Sequence, residues 1–155
     1  LMGGGIDCYH IGGCAEYNVY CDPVSSNKVF ASALPIYMAD LGLCQKSILT
    51  KEQKEAITES AGRNKEEIFN LFEIDRRYSE GYGNPPGIIY DACATVYMFY
   101  PEIFKTEQIG VDVLLSDEFY GKTVKTDIRN NVTRLLDVDR DEFAKVLQRA
   151  VEFYR

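Results

Sequence analysis

Histidine is nearly missing from this chain: His10 is the only one in 155 residues. A lone imidazole cannot build a histidine metal cluster, and it leaves a cysteine nucleophile with little choice of partner base. Paired cysteines are missing too. Cys8, Cys14, Cys21, Cys44 and Cys93 are odd in number, scattered and never in a Cys-x-x-Cys pattern, so neither a zinc site nor a disulfide framework is indicated. Most of them read as buried thiols, and the glycine-rich loop makes Cys14 a candidate for an accessible one. Excess basic charge is likewise absent: 17 Lys and Arg against 24 Asp and Glu give a net charge of -7. The few basic runs are broken by acids, which argues against a nucleic-acid partner and toward small or neutral ligands. No apolar run approaches the roughly 18 to 20 residues that span a bilayer, and no signal-peptide pattern opens the chain. The expectation is a cytoplasmic protein with no membrane partner.

What is present suits one ordinary core, with 46% hydrophobic and 26% charged residues. Residues 1–155 are expected to form a single domain or half-domain. Leu1-Met2-Gly3-Gly4-Gly5-Ile6 reads as the end of a buried strand running into a tight loop, an opening in mid-domain.

Along the chain, apolar spacing predicts a helix from Glu16 to Ser32, bent or interrupted where Pro23 removes a backbone donor. Leu34 to Ala39 suits a buried strand of a parallel sheet. Thr50 caps a predicted helix over 51–61, and Asn64 a second that runs out near Tyr78. Residues 79–87, rich in turn formers, form a predicted loop and a candidate lid. Residues 92–100 are apolar on nearly every side and predict a buried helix. Alternation over 109–115 and 121–127 predicts an antiparallel hairpin, Asn131 to Leu136 a further strand, and Asp139 to Phe153 a closing amphipathic helix. Together these elements indicate an α/β fold: a partly parallel sheet, flanking helices and an antiparallel excursion near the C-terminus. The acidic run from Asp137 to Asp141 fails as a calcium loop, because Glu142 and Gln148 stand where such a loop needs Gly and Glu.

The chemistry-bearing feature is Ala15-Glu16-Tyr17-Asn18, followed by Asp22-Pro23. It sets a carboxylate and an amide two residues apart at a helix start, where both can grip a polyhydroxylated ligand whose hydroxyls donate and accept. Asp91, before the apolar helix, is open to two readings: a helix cap, or a hard-oxygen ligand.

In order and spacing, Met2-Gly3-Gly4, the Glu16-Tyr17-Asn18 motif, Leu34-Pro35-Ile36, Asp91-Ala92-Cys93-Ala94 with Pro101-Glu102, and Gly121 to Asp127 resemble one family. It is the C-terminal half of the inosine-uridine nucleoside hydrolases, which cleave the N-glycosidic bond of ribonucleosides. The resemblance implies an open, mostly parallel α/β sheet with a C-terminal hairpin. It implies that Met2, Glu16 and Asn18 contact ribose, with Met2 beside the motif and Asp91 opposite as a calcium ligand. Tyr78 and Tyr82 fall where the family often has base-contacting residues on a mobile segment.

Three departures qualify this. His10 replaces a ribose-binding Asn six residues before Glu16, and Tyr90 replaces the His linked to protonating the leaving base. A tyrosine, with an ordinary pKa of about 10, is a poor acid at neutral pH but still a hydrogen-bond donor. The family's N-terminal Asp-x-Asp-x-x-x-Asp-Asp cluster, which supplies most calcium ligands and the general base, is absent from these 155 residues. Calcium is therefore expected only if that cluster is supplied. The expected partners are a ribonucleoside or ribose, and either an N-terminal half or a second copy. A catalytically inactive relative that binds a ribosyl ligand or a protein is the competing expectation, and a truncated remnant a third.

Overall fold

A computed structural model describes residues 1–81 and 86–154. In chain order the elements are α1 (Tyr17–Cys21), α2 (Pro23–Phe30), β1 (Ile36–Ala39), α3 (Leu41–Lys46), α4 (Lys51–Ser60), α5 (Lys65–Gly81), α6 (Tyr90–Phe99), β2 (Phe104–Val113), β3 (Thr123–Thr126), β4 (Val132–Val138) and α7 (Arg140–Phe153). They fall into two compact units: Leu1–Gln45 with Tyr90–Val138, and Lys46–Ile89 with Asp139–Arg155.

The first unit holds an open mixed sheet of order β1-β4-β2-β3. β1 runs parallel to β4, with Ile36 opposite Val132 and Ala39 opposite Leu135. β2 pairs antiparallel with both β4 and β3, so the predicted hairpin and the further strand are both present. Met2 extends the parallel part through a bridge to Ala39 on the free side of β1. Strand alternation sorts the faces: Ile36 and Met38 join Val19, Phe30, Val111 and Val132 in a buried cluster under α1 and α2. Tyr37 points the other way and meets Tyr97 of α6, ring centroids 5.4 Å apart, while Tyr97 packs edge-on against Phe104 at 5.5 Å. Helices thus pack on both faces of the sheet at β1, where the parallel pairing lies, although Tyr37 stays 51% exposed.

Glu16 caps α1, Asp22 caps α2 by accepting from the Ser25 amide at 2.9 Å, and Pro23 sits in the first turn of α2, where its missing N–H costs nothing. The predicted long helix is therefore two pieces. α6 corrects another expectation. Only Cys93 and Val96 are buried, while Met98 and Phe99 are 75% and 70% exposed. A helix apolar all round can cover a sheet with only one face, so apolarity did not mean enclosure here.

The second unit is helical. Thr50 and Gln53 form a reciprocal capping box on α4, at 3.2 and 2.9 Å. The Asp139 carboxylate accepts from the Asp141 and Glu142 amides, which accounts for the acidic run as a helix start. Asn64 does not cap α5; it ends a 3-10 turn and its amide donates to the Tyr154 carbonyl at 2.8 Å. Ser79, Glu80 and Gly81, expected in the loop, complete α5 instead. The i,i+4 pair of Arg76 with Glu80, 2.7 Å, and the Ser79 hydroxyl donating to Asp75 at 3.3 Å support that last turn. The rest of the candidate lid, including Tyr82, lies outside the described residues except for 86–87.

Candidate functional site

The C-terminal ends of parallel strands are where open α/β sheets present ligand-binding loops. Here the Gly3 amide donates to the Ala39 carbonyl at 3.1 Å, the Ala39 amide donates to Leu1 at 3.0 Å, and the Leu41 amide donates to Gly4 at 2.9 Å. Met2, Gly3 and Gly4 therefore leave the sheet beside the end of β1. Gly4 has a φ of 76°, a left-handed conformation that favours glycine. A Cβ on Gly5 would lie 1.9 Å from the Cys8 carbonyl oxygen, so the chain turns back on itself too tightly for any side chain.

Into this turn reaches Glu16, only 2% exposed. Its Oε1 accepts from the Asn18 amide at 2.8 Å, and its Oε2 from the Val19 amide at 3.1 Å and the Gly4 amide at 2.9 Å. One carboxylate thereby caps α1 and fastens it to the glycine turn. Asn18 is exposed, and its side-chain amide donates to the Met2 sulfur at 3.2 Å. Glu16 and Asn18, alike in the sequence as a gripping pair, are thus placed differently: one beneath the surface, one on it. His10 is exposed on a neighbouring turn closed by its own amide donating to Ala15 at 3.0 Å.

Beneath the turn lies a charged pair that sequence reasoning missed. Asp40, 1% exposed, caps α3 through the Leu43 amide at 2.9 Å and receives Arg134 at 2.8 and 2.7 Å. Arg134 also reaches Glu107 at 3.0 Å. Arg134 stays firmly protonated: burial opposes its charge, but Asp40 and Glu107 outweigh it.

Tyr90 opens α6, and Asp91 is its second residue, exposed in the first turn. Asp91 is therefore not the residue preceding the helix, which removes the cap as the simple account of it. The Tyr90 carbonyl accepts from the Cys44 thiol at 3.7 Å. Its hydrogen bond to Cys93, its burial, and the nearby Cys93, Asp40 and Asp91 push the Cys44 thiol far up, so it is no thiolate nucleophile. Tyr78 lies in α5 of the second unit, 65% exposed.

Among the described residues no group of three or more His, Cys, Asp or Glu could hold a metal ion. Calcium takes six to eight oxygens, so Asp91 with its surroundings in this chain does not by itself fit the ion.

The family profile described as inosine-uridine preferring nucleoside hydrolase matches residues 1–145, nearly the entire chain. This chain belongs to that family. Among curated nucleoside hydrolases, the pyrimidine-specific ribonucleoside hydrolase RihA of Shigella boydii is 29% identical over 163 aligned residues, covering 99% of this chain and 52% of the relative. The RihA of Klebsiella pneumoniae is 28% identical over 162, with the same coverage. Among solved nucleoside hydrolases, the purine-preferring ribonucleoside hydrolase of Gardnerella vaginalis superposes with a TM-score of 0.84 at 18% identity, covering 99% of this chain and 51% of that one. The inosine-uridine preferring enzyme of Bacillus anthracis gives 0.74 at 22% identity, covering 98% and 50%. At these identities the solved structures establish the fold. The chain spans about half the length of the curated nucleoside hydrolases it matches.

Proposed function

We propose that this chain supplies the sugar-binding side of ribonucleoside hydrolysis, in which water cleaves the N-glycosidic bond to give ribose and free base. The observation that carries the reading is the Met2–Glu16–Asn18 arrangement at the end of the parallel strands, in a chain of this family. Asn18 and Met2 would meet the ribose directly. Glu16 spends three of its roughly four acceptor positions on backbone amides, leaving one for a sugar hydroxyl. A fixed carboxylate also suits the transition state, whose ribose ring carries oxocarbenium-like positive charge. His10 would take the place of an amide at the sugar edge, and Tyr90 would donate a hydrogen bond toward the leaving base. Asp91 would contribute one calcium ligand, the others coming from an Asp-rich partner half. Relatives bearing pyrimidine-specific, purine-preferring and inosine-uridine names are all similar to this chain, so no base class is assigned.

The test is titration calorimetry of the chain with ribose, inosine and uridine, followed by ribose release after adding calcium and an Asp-rich N-terminal half. Ribose binding by the chain and turnover by the pair are expected. A pair that assembles, with Asn18 correctly placed, yet hydrolyses no nucleoside overturns the enzyme reading. A second reading, a ribosyl-binding relative without turnover, is favoured by Tyr90 standing where the family has His; binding without hydrolysis would select it. Sedimentation separates the partner half from self-association.

A further inference from the structure

The glycine turn that carries Met2 is held from below by a residue remote in sequence and assigned no role so far. Thr123, the first residue of β3, is 1% exposed. Its Oγ1 accepts from the Gly5 amide at 2.8 Å and donates to the Gly5 carbonyl at 2.9 Å, satisfying both polar groups of one residue across 118 positions. Its methyl packs the next residue back: a Cβ on Gly4 would meet Thr123 Cγ2 at 3.3 Å. Gly4 is also the residue whose amide Glu16 accepts, at 2.9 Å. Consecutive glycines are thus fastened by Glu16 on one side and Thr123 on the other. The Met2 sulfur sits two residues upstream, 3.2 Å from the Asn18 amide.

We infer that Thr123 is a positioning residue for the sugar-binding face: by clamping Gly5 it fixes the turn that sets Gly4 against Glu16 and Met2 against Asn18. The inference rests on the proposed function for its ligand, though not for its geometry. The hydroxyl makes the clamp on Gly5, and the methyl adds packing against Gly4. Serine keeps the hydroxyl, whereas valine keeps the shape and leaves the Gly5 N–H and C=O buried without partners.

The experiment compares Thr123→Val and Thr123→Ser with the unsubstituted chain by titration calorimetry with ribose and by NMR. Thr123→Val is expected to raise the ribose Kd about tenfold, to speed exchange of the Gly5 amide, and to shift the Asn18 side-chain amide. Thr123→Ser should stay within about twofold in Kd and keep Gly5 protected. A valine variant that melts lower but binds ribose as tightly as the parent would make Thr123 a scaffold residue only and overturn the inference. Should the unsubstituted chain bind no ribose, the proposed function fails. The Gly4 and Asn18 resonances then decide the clamp alone, since unmoved signals in Thr123→Val refute it. If Thr123→Val does not fold, ribose titrated into the parent chain decides: saturation must move the Gly4, Gly5 and Thr123 methyl resonances, and unmoved resonances overturn the inference.

Discussion

Glu16 and Asp91 are carboxylates at the starts of helices in the same compact unit, yet Glu16 is 2% exposed under three backbone amides while Asp91 stands exposed in the first turn of α6. The glycine turn around Glu16 is held by this chain's own groups: the β1 end, Thr123, and the Leu41 amide that donates to Gly4, next in sequence to the Asp40 that Arg134 fixes. Asp91 is exposed, and no group of three or more metal-ligating side chains occurs among the described residues. A carboxylate held by three fixed donors organises its neighbours and keeps about one acceptor position for a ligand, whereas one left at the surface is held by no such frame. In the proposed function the chain would therefore offer a well-supported carboxylate on one side of the candidate site and a single exposed one on the other.

The largest test of that contrast removes the buried support. Arg134→Met leaves Asp40 without its partner at 1% exposure, and stripping one member of a buried pair costs about 3–5 kcal/mol. The urea midpoint should fall accordingly, and exchange of the Gly4 and Gly5 amides should quicken. A loss near zero would mean the glycine turn is not built on this pair. Glu16→Gln comes next. An amide keeps one acceptor oxygen and sets an NH2 against a backbone donor, so about 1–3 kcal/mol should be lost in thermal melts. Unchanged stability would show Glu16 to be no more supported than Asp91.

What the sequence made legible divides along the same line. The hairpin of β2 and β3, the break at Pro23, the α4 cap and the Glu16-to-Asn18 motif are local signals, and local spacing carries them. The burial of Glu16 is not local, because it depends on an amide twelve residues back. Asp40 with Arg134 and Thr123 with Gly5 are contacts across 94 and 118 positions, visible only once the sheet brings them together. Asn64, expected as a cap, instead ends a 3-10 turn and directs its side-chain amide to the distant Tyr154 carbonyl. The exposed side of α6 failed for a different reason: an all-round apolar helix gives no moment from which to choose a face.

Acid gives a smaller effect on the supported side. Partial burial pushes the Glu107 carboxyl up, but hydrogen bonds from Lys125 and Arg134 outweigh it and hold the group below the ordinary glutamate range. A carboxylate depressed in the folded state stabilises fully above its unfolded pKa, about 4.3, and loses that contribution as pH falls through the folded value. Between pH 6 and pH 3 the parent should therefore lose more stability than Glu107→Gln, by up to about 1 kcal/mol for a pair this close to the surface. Parallel pH profiles would place Glu107 outside the network.

The smallest expected effect is at Asp91. An exposed carboxylate in a first helical turn gains a few tenths of a kcal/mol from the helix dipole, so Asp91→Asn should change the melting behaviour by no more than about 0.5 kcal/mol. That near-silence would set it apart from Glu16→Gln, although both substitutions replace a carboxylate with its amide. If Asp91→Asn instead destabilises the chain as Glu16→Gln does, Asp91 is a structural anchor, and the contrast between a finished and an unfinished side of the site collapses. If it is silent in the isolated chain but weakens calcium binding after an Asp-rich half is added, its carboxylate acts on a ligand and not on the fold.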